Sequence, residues 1–206
     1  MEIVLSGDII NSTKVAPRVY LSILEEWMPK FAKKNKHSVF QGDSFQLLIA
    51  QPELALLACI ELKSALKKIK SLDVRLSIGL GSVEFENEFI EKSNGSAFIR
   101  SGRTLETLKD SGQRIMVNSE HHLDFYMNGC LRVAGILMDQ WSINSAEMVN
   151  ERLKTPEDTQ EELGKKLGIK QATASRRLNR ANWQETKVLM HLFDQYYKDV
   201  SHGVID

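Results

Sequence analysis

The feature that most constrains this chain is a pattern of capping, small and apolar residues at positions 159–182. Thr159 and Glu162 have the spacing of a capping box, which predicts that a helix begins there. Gly164 is small enough to let a second helix cross closely, and Gly168 can adopt the positive φ that ends a helix. Because these features occur together at fixed spacing, they predict two short helices joined by a tight turn.

The second predicted helix, at residues 171–182, has Ala174 and Leu178 on its inner side and polar residues outside. Guanidinium, amide and hydroxyl groups on one helix face suit DNA base edges and phosphates. The alternative is a three-helix bundle whose basic face lies in solvent or binds a protein. The residues predicted to contact DNA are Gln171, Thr173, Ser175, Arg176, Arg177, Asn179 and Arg180.

Charge supports DNA binding only locally. The chain has 27 basic and 27 acidic residues, so its net charge favours neither nucleic acid nor a membrane surface. Between positions 165 and 187, however, seven lysines and arginines accompany a single acidic residue, Glu185. This local excess of positive charge is the signal that the totals conceal.

The segment resembles the DNA-binding helix-turn-helix of bacterial regulators, including the region-four type of sigma factors, in the sequence LGIKQATAS at residues 167–175. The resemblance implies double-stranded DNA as a partner. Residues 183–200 then predict another amphipathic helix. This helix either completes the core of the helical domain or forms a dimer contact, and the sequence leaves both open.

Strand and helix patterns alternate in the first part of the chain. Glu2–Ile10 is an apolar run typical of a buried strand, and a predicted hairpin places Asp43 at its tip. The order strand, helix, hairpin, helix, strand, helix, strand predicts an α+β, ferredoxin-like sheet with helices on one face. Only helices are predicted afterwards, and the dipeptide Asn128-Gly129 is predicted to interrupt one of them. The predicted domains are residues 1–120, a connecting helical segment at 121–143, and a helix-turn-helix domain at 144–206.

Two aspartates fall where such a sheet would bring them together. Asp8 lies near the end of the first strand, and Asp43 lies at the hairpin turn. Paired carboxylates can hold divalent cations, and oxygen ligands favour magnesium or manganese. The alternative is that each aspartate only caps a turn.

Four motifs resemble the SatD-like family, whose N-terminal part is similar to class III nucleotide cyclase domains. They are GDIINST at 7–13, FQGDSFQLLI at 40–49, VRLSIGLGSV at 74–83 and NGSAFIRSGRTLE at 94–106. The resemblance implies a cyclase-like sheet and a nucleotide as a candidate ligand. It also implies metal-binding roles for Asp8 and Asp43 and a phosphate-binding role for Arg103.

Three positions depart from the pattern of active cyclases. Val39 stands where a lysine reads the purine, Ile99 where an asparagine orients the ribose, and Lys92 near the other base-recognition position. Valine and isoleucine cannot make those hydrogen bonds, and losing oriented contacts costs orders of magnitude in rate. The sequence therefore favours a DNA-binding regulator with a non-catalytic domain that senses a ligand or metal. The alternatives are a divergent metal-dependent nucleotide cyclase or phosphotransferase, and a protein-interaction module.

Both resemblances predict a homodimer, because cyclase-like domains pair and helix-turn-helix proteins read two half-sites. No apolar stretch is long enough to cross a bilayer, and the N-terminus lacks a signal-peptide pattern. Two cysteines, Cys59 and Cys130, are too few for a disulfide framework. We therefore expect a cytoplasmic protein without a membrane partner.

Overall fold

The computed structural model describes residues 1–203, which form a five-stranded sheet and eight α-helices. Positions 204–206, the end of the predicted last domain, lie outside the described residues. The strands are β1 (Glu2–Ile10), β2 (Ala32–Phe40), β3 (Ser44–Ile49), β4 (Asp73–Gly81) and β5 (Ile115–Asn118). The helices are α1 (Pro17–Phe31), α2 (Ala55–Lys67), α3 (Ser96–Ser111), α4 (Leu123–Asp139), α5 (Ile143–Lys154), α6 (Gln160–Lys166), α7 (Gln171–Arg180) and α8 (Trp183–His202). No helix in this range combines the length and apolarity that crossing a membrane requires.

The sheet has the strand order β2-β3-β1-β4-β5, with β1 at its centre. β1 is antiparallel to both β3 and β4, and β4 pairs with β5 in parallel. The end of β1 therefore lies beside the beginnings of β3 and β4, where Asp8 is in register with Ser44 and with Arg75. This confirms the predicted α+β class. A site can form at this end of the central strands.

Helices cover both faces of the sheet, so the prediction that they lie on one face is wrong. Leu5 and Ile78 point into the apolar core shared with α1 and α2. Their neighbours Ser6 and Ser77 point to the opposite face, where each bonds to Ser101 of α3 at 2.9 and 2.6 Å. The two central strands are buried on both sides, and small residues under α3 allow that helix to lie close.

The predicted interruption at Asn128-Gly129 is also wrong, because α4 runs through it without a break. The Asn128 amide bonds both to the backbone N–H of Val117 and to its carbonyl, at 2.8 and 2.9 Å. The side chain thus satisfies backbone groups of the edge strand β5. Asn128 connects the helix to the sheet instead of breaking the helix.

The apolar core continues from the sheet into the helices that follow it. The Trp141 indole N–H, at the end of α4, donates to the Ala181 carbonyl at 2.8 Å, and both residues are buried. Asn150 of α5 bonds to Ser64 of α2 at 3.1 Å. Packing and polar contacts therefore cross the predicted domain boundaries, and the division into domains stays a prediction.

A fully buried lysine links the sheet to these helices. The Lys63 ammonium of α2 contacts Asp73 of β4 at 2.8 Å and Asp139 of α4 at 2.6 Å. A buried ammonium is tolerated only with such partners. Burial raises the pKa of Asp73, but Lys63 and Lys67 more than offset this, so the pKa is lowered from 3.8.

We expect Asp73→Asn to lower the free energy of unfolding by about 3 kcal/mol, because Lys63 stays buried after losing one carboxylate. Urea unfolding at pH 7 measures the change. Glu26→Gln is the control, since it removes only an exposed pair with Lys30 and should cost less than about 1 kcal/mol. Equal effects of the two substitutions would contradict this role for Lys63.

The stabilising effect of Asp73 should depend on pH. Because the folded-state pKa of Asp73 lies below 3.8, its carboxylate stabilises the fold above that pH. This stability is lost as the pH falls through 3.8 towards the folded-state value. The difference in free energy of unfolding between wild type and Asp73→Asn should therefore decrease in acid. A difference that does not change with pH would contradict the ion pair between Asp73 and Lys63.

Candidate nucleic-acid interface and the aspartate pair

The two helices predicted at residues 159–182 are α6 and α7. The capping box is confirmed: the Glu162 N–H donates to the Thr159 hydroxyl at 3.2 Å, and the Thr159 N–H donates to the Glu162 carboxylate at 2.7 Å. Gly168 has a φ of 64°, the left-handed value expected where α6 ends. α7 ends at Arg180, two residues before the predicted end.

Close packing holds the two helices in place. A Cβ on Gly164 would lie 2.8 Å from the Ile169 carbonyl oxygen, so this position admits only glycine without a shift of the turn. Leu163, Ala174 and Leu178 are buried together with Met148 of α5, separately from the main core. α5, α6 and α7 thus form a three-helix unit, and α7 presents exposed polar residues on its outer side.

The predicted DNA-contacting residues divide into two groups. The exposed group is Gln171, Arg176, Asn179 and Arg180, and the half-buried group is Thr173, Ser175 and Arg177. Arg177 donates to the Glu147 carboxylate of α5 at 2.7 Å, which attaches α7 to α5. Its guanidinium is therefore already engaged, whereas the exposed group is available to a ligand.

The positive charge of residues 165–187 is smaller than their sequence predicts, because acidic residues outside this stretch pair with two of its lysines and with Arg177. Lys165 contacts Glu161 at 2.9 Å, and Lys166 contacts Asp158 at 2.6 Å. Within the described residues, the cations of that stretch without an ion pair are Lys170, Arg176, Arg180 and Lys187. The charge is thus concentrated on and around α7.

A cleft of about 250 Å³ lies between α7 and the beginning of α5. Ser142 caps α5 by accepting the Ser145 N–H at 3.2 Å, so the positive end of the helix dipole points into this region. Two guanidinium groups without an ion pair among the described residues, those of Arg176 and Arg180, and a helix N-terminus suit a phosphate. The cleft is lined by Ser142, Asn144, Thr173, Arg176, Arg177 and Arg180. Sequence reasoning missed Ser142 and Asn144, although a serine before a helical pattern is a typical N-cap.

The basic surface also extends towards the sheet. Ser142 lines a second cleft, of about 370 Å³, with Lys70 from the loop before β4, Asp73 at the beginning of β4 and Arg114 just before β5. Neither of these cations has an ion pair within residues 1–203. The two clefts adjoin at the N-terminus of α5, so positive groups from both parts of the chain face the same region.

An amide pair joins the beginnings of α6 and α7. Gln171 donates to the Gln160 side-chain oxygen at 2.9 Å. This bond uses one N–H of Gln171 and leaves its second N–H and its carbonyl oxygen. These two groups match the N7 acceptor and N6 donor of adenine. Gln160 therefore restrains a side chain at the exposed beginning of α7.

The structure brings the two predicted aspartates to one edge of the sheet. Asp43 lies in the turn between β2 and β3, and its carbonyl accepts the Ile9 N–H at 3.0 Å. Both carboxylates already have partners. Arg75 donates to Asp8 at 2.5 Å, and the Ser12 hydroxyl donates to Asp43 at 2.6 Å. Sequence reasoning missed Arg75, because its position beside Asp8 follows from strand register.

As arranged, these residues do not fit a divalent cation. Residues 1–203 contain no group of three His, Cys, Asp or Glu side chains that could hold a metal. The Arg75 guanidinium supplies positive charge where a cation would bind, and burial raises the pKa of Asp8. Asp8 Oδ1 is buried without a hydrogen bond among these residues. Magnesium or manganese binding stays a prediction, and it requires Arg75 to move.

The remaining cyclase-like positions are dispersed. Arg103 is exposed on α3, and its side chain makes no bond with a described residue, so its phosphate-binding role stays a prediction. Val39 pairs with Phe45 and packs against the core, and Ile99 is exposed on α3. Arg100, also on α3, bonds to the Leu80 carbonyl and to Glu120.

Comparisons with models of known protein families and with curated proteins give no match. The resemblances found in the sequence are therefore hypotheses, and a function for this protein has to be inferred from its geometry and charge. The geometry presents two regions: a basic surface around α7, and an aspartate pair with an arginine bound to it.

Replacing Arg75 should make the aspartate pair bind a cation better. We expect Arg75→Gln to tighten manganese binding roughly tenfold, because it removes a competing positive charge within contact distance of Asp8. Calorimetric titration with manganese measures the affinity. Adding Asp43→Asn to Arg75→Gln should abolish the gain. Equal affinity of wild type and Arg75→Gln would show that Arg75 does not compete with a cation.

Proposed function

We propose that this protein is a DNA-binding transcriptional regulator. In this proposal α6 and α7 are a helix-turn-helix, carried by a ferredoxin-like, cyclase-like sheet domain that is non-catalytic and senses a ligand or metal. The observation that carries the proposal is the cleft in which Arg176 and Arg180 of α7 face the N-terminus of α5. A binding site for phosphate directly beside an exposed polar helix suits the backbone of double-stranded DNA.

The proposed docking places the exposed face of α7 in the major groove. Arg176, Asn179 and Gln171 then face base edges, and Arg180 lies by the N-terminus of α5, where a backbone phosphate would bind. Phosphate contacts set the position of the helix, whereas the base contacts supply specificity. The restrained amide of Gln171 is the side chain we expect to read adenine.

α5 is the element through which the sheet domain would influence DNA binding. It packs between α2 and α7: Asn150 bonds to Ser64 and accepts from Lys68 at 3.0 Å, while Glu147 binds Arg177. A ligand that shifts α2 would shift α5 and the phosphate cleft with it. Nucleotide is the candidate ligand.

The aspartate pair supports an alternative function, that of a divergent metal-dependent nucleotide cyclase or phosphotransferase. Asp8 and Asp43 share a sheet edge, as that function requires. The contact of Arg75 with Asp8 disfavours it, because Arg75 occupies the carboxylate that would bind a metal. Val39 also disfavours it, because this partly buried valine packs against the core and cannot hydrogen-bond a purine. The regulator is therefore our first proposal.

DNA binding should weaken steeply with salt, and Arg176→Ala should cost about 1–3 kcal/mol if that side chain reads a base. Arg180→Ala should lower affinity for all sequences alike and reduce the salt slope by about one, as expected for a phosphate contact. Fluorescence polarisation with duplexes selected from a random pool measures both effects.

Arg18→Ala is the matched control, because Arg18 is an exposed arginine at the beginning of α1. It should leave affinity and slope unchanged. If wild type binds no duplex at low salt, the regulator proposal is wrong. If Arg18→Ala and Arg180→Ala have equal effects, binding is unspecific and the cleft has no part in it.

Incubation of ATP or GTP with manganese should yield no cyclic nucleotide above background. The reason is that Val39 and Ile99 cannot align the ribose hydroxyl with the α-phosphate. Chromatography of the products checks this. Turnover that disappears in Asp43→Ala would make the enzyme the better proposal.

A further inference from the structure

An exposed apolar groove of about 840 Å³ runs between α4 and α8. The helices are antiparallel, since Trp141 at the end of α4 bonds to Ala181 just before α8, while Tyr196 near the end of α8 bonds to Asp124. Large apolar side chains that are 42–79% exposed line it: Phe125, Tyr126, Val133, Val188 and Leu192. The sequence left open whether α8 completes a core or forms a dimer contact. The structure shows α8 with one buried face and one exposed apolar face.

The size of this surface matches one half of a dimer interface. A large aromatic side chain presents roughly 150–250 Å², so Phe125 and Tyr126 expose about 300 Å². The aliphatic residues bring the apolar area to the order of 500 Å², at the upper end of what a monomer exposes. A standard interface covers about 800 Å² per partner and is about 65% apolar in homodimers, which again gives about 500 Å².

Charges at the groove are complementary to those of a second copy. Arg132 of α4 and Glu185 of α8 lie on its opposite walls. Both are exposed, and neither forms an ion pair within the described part of the chain. A two-fold axis along the groove would lay α4 of one copy over α8 of the other. Arg132 would then lie near Glu185 of the second copy, twice in one interface.

We propose that this groove binds a second copy of the chain through such a two-fold axis, so that the protein is a homodimer joined by α4 and α8. The dimer does not require DNA binding, but its consequence for DNA recognition rests on the proposed function. α8 begins three residues after α7 ends, so a dimer through α8 sets the distance between the two α7 helices. Half-sites one DNA turn apart would require that distance to be about 34 Å.

Charge reversal distinguishes a second copy from any other occupant. Arg132→Glu and Glu185→Arg should each raise the dimer dissociation constant at least tenfold, and the double variant should restore it. Val188→Glu should give a monomer, while Phe89→Glu, which changes an exposed aromatic residue elsewhere, should remain dimeric. Sedimentation equilibrium without DNA measures these masses, and circular dichroism verifies that each variant is folded.

A monomeric wild type at tens of micromolar would overturn the proposal. The proposal would also be overturned if the double variant dimerised as weakly as the single variants. A monomeric wild type that binds phosphatidylcholine vesicles, and loses this binding in Val188→Glu, would overturn it as well. A wild type that is dimeric but binds no DNA would support the interface and contradict the regulator. A wild type that is monomeric and binds DNA as tightly as the Val188→Glu variant would contradict the proposed interface and support the regulator.

Discussion

The buried ammonium of Lys63 is the interaction on which the arrangement of this molecule most depends. It contacts carboxylates from β4 and from the end of α4, so one charge fixes a helix under the sheet, a central strand and the first of the later helices. Taking an ammonium out of water is costly, and only correctly placed carboxylates offset that cost. The position of α4 determines where α5 begins, and α5 determines where α7 lies. The ion pair inside the protein thus contributes to the orientation of the basic surface, together with the contact of α5 with α2.

α5 connects the sheet domain to the basic surface around α7. α5 contacts the sheet domain through Asn150 and α7 through Glu147, and its N-terminus contributes to the phosphate cleft. A shift of α2 that moves α5 relative to α7 would therefore change the cleft itself. α8 continues from the same unit and presents its apolar face beside α4. In the proposed regulator, DNA binding, ligand sensing and dimerisation would act through one contiguous set of helices.

The aspartate pair shows how little a motif determines without its neighbours. Asp8 and Asp43 reach the predicted edge of the sheet, but strand register also brings Arg75 to Asp8. A guanidinium in contact with a carboxylate supplies the charge that a cation would otherwise supply. The chemistry of the pair therefore depends on a residue that belongs to a different motif. The same holds for the lysines of α6, whose partners lie outside the stretch in which charge was counted.

The sequence by itself determined what depends on near neighbours in the chain. The bounds of β1, the capping box at Thr159 and the left-handed Gly168 follow from local patterns and appear as predicted. Only the tertiary structure decided which distant groups meet, such as Arg75 with Asp8 and Ser142 with the arginines of α7. It also decided that α3 covers the second face of the sheet and that α4 runs unbroken. The physical reason is that caps and turns depend on residues a few positions apart, whereas ion pairs and clefts depend on register and packing between elements far apart in sequence.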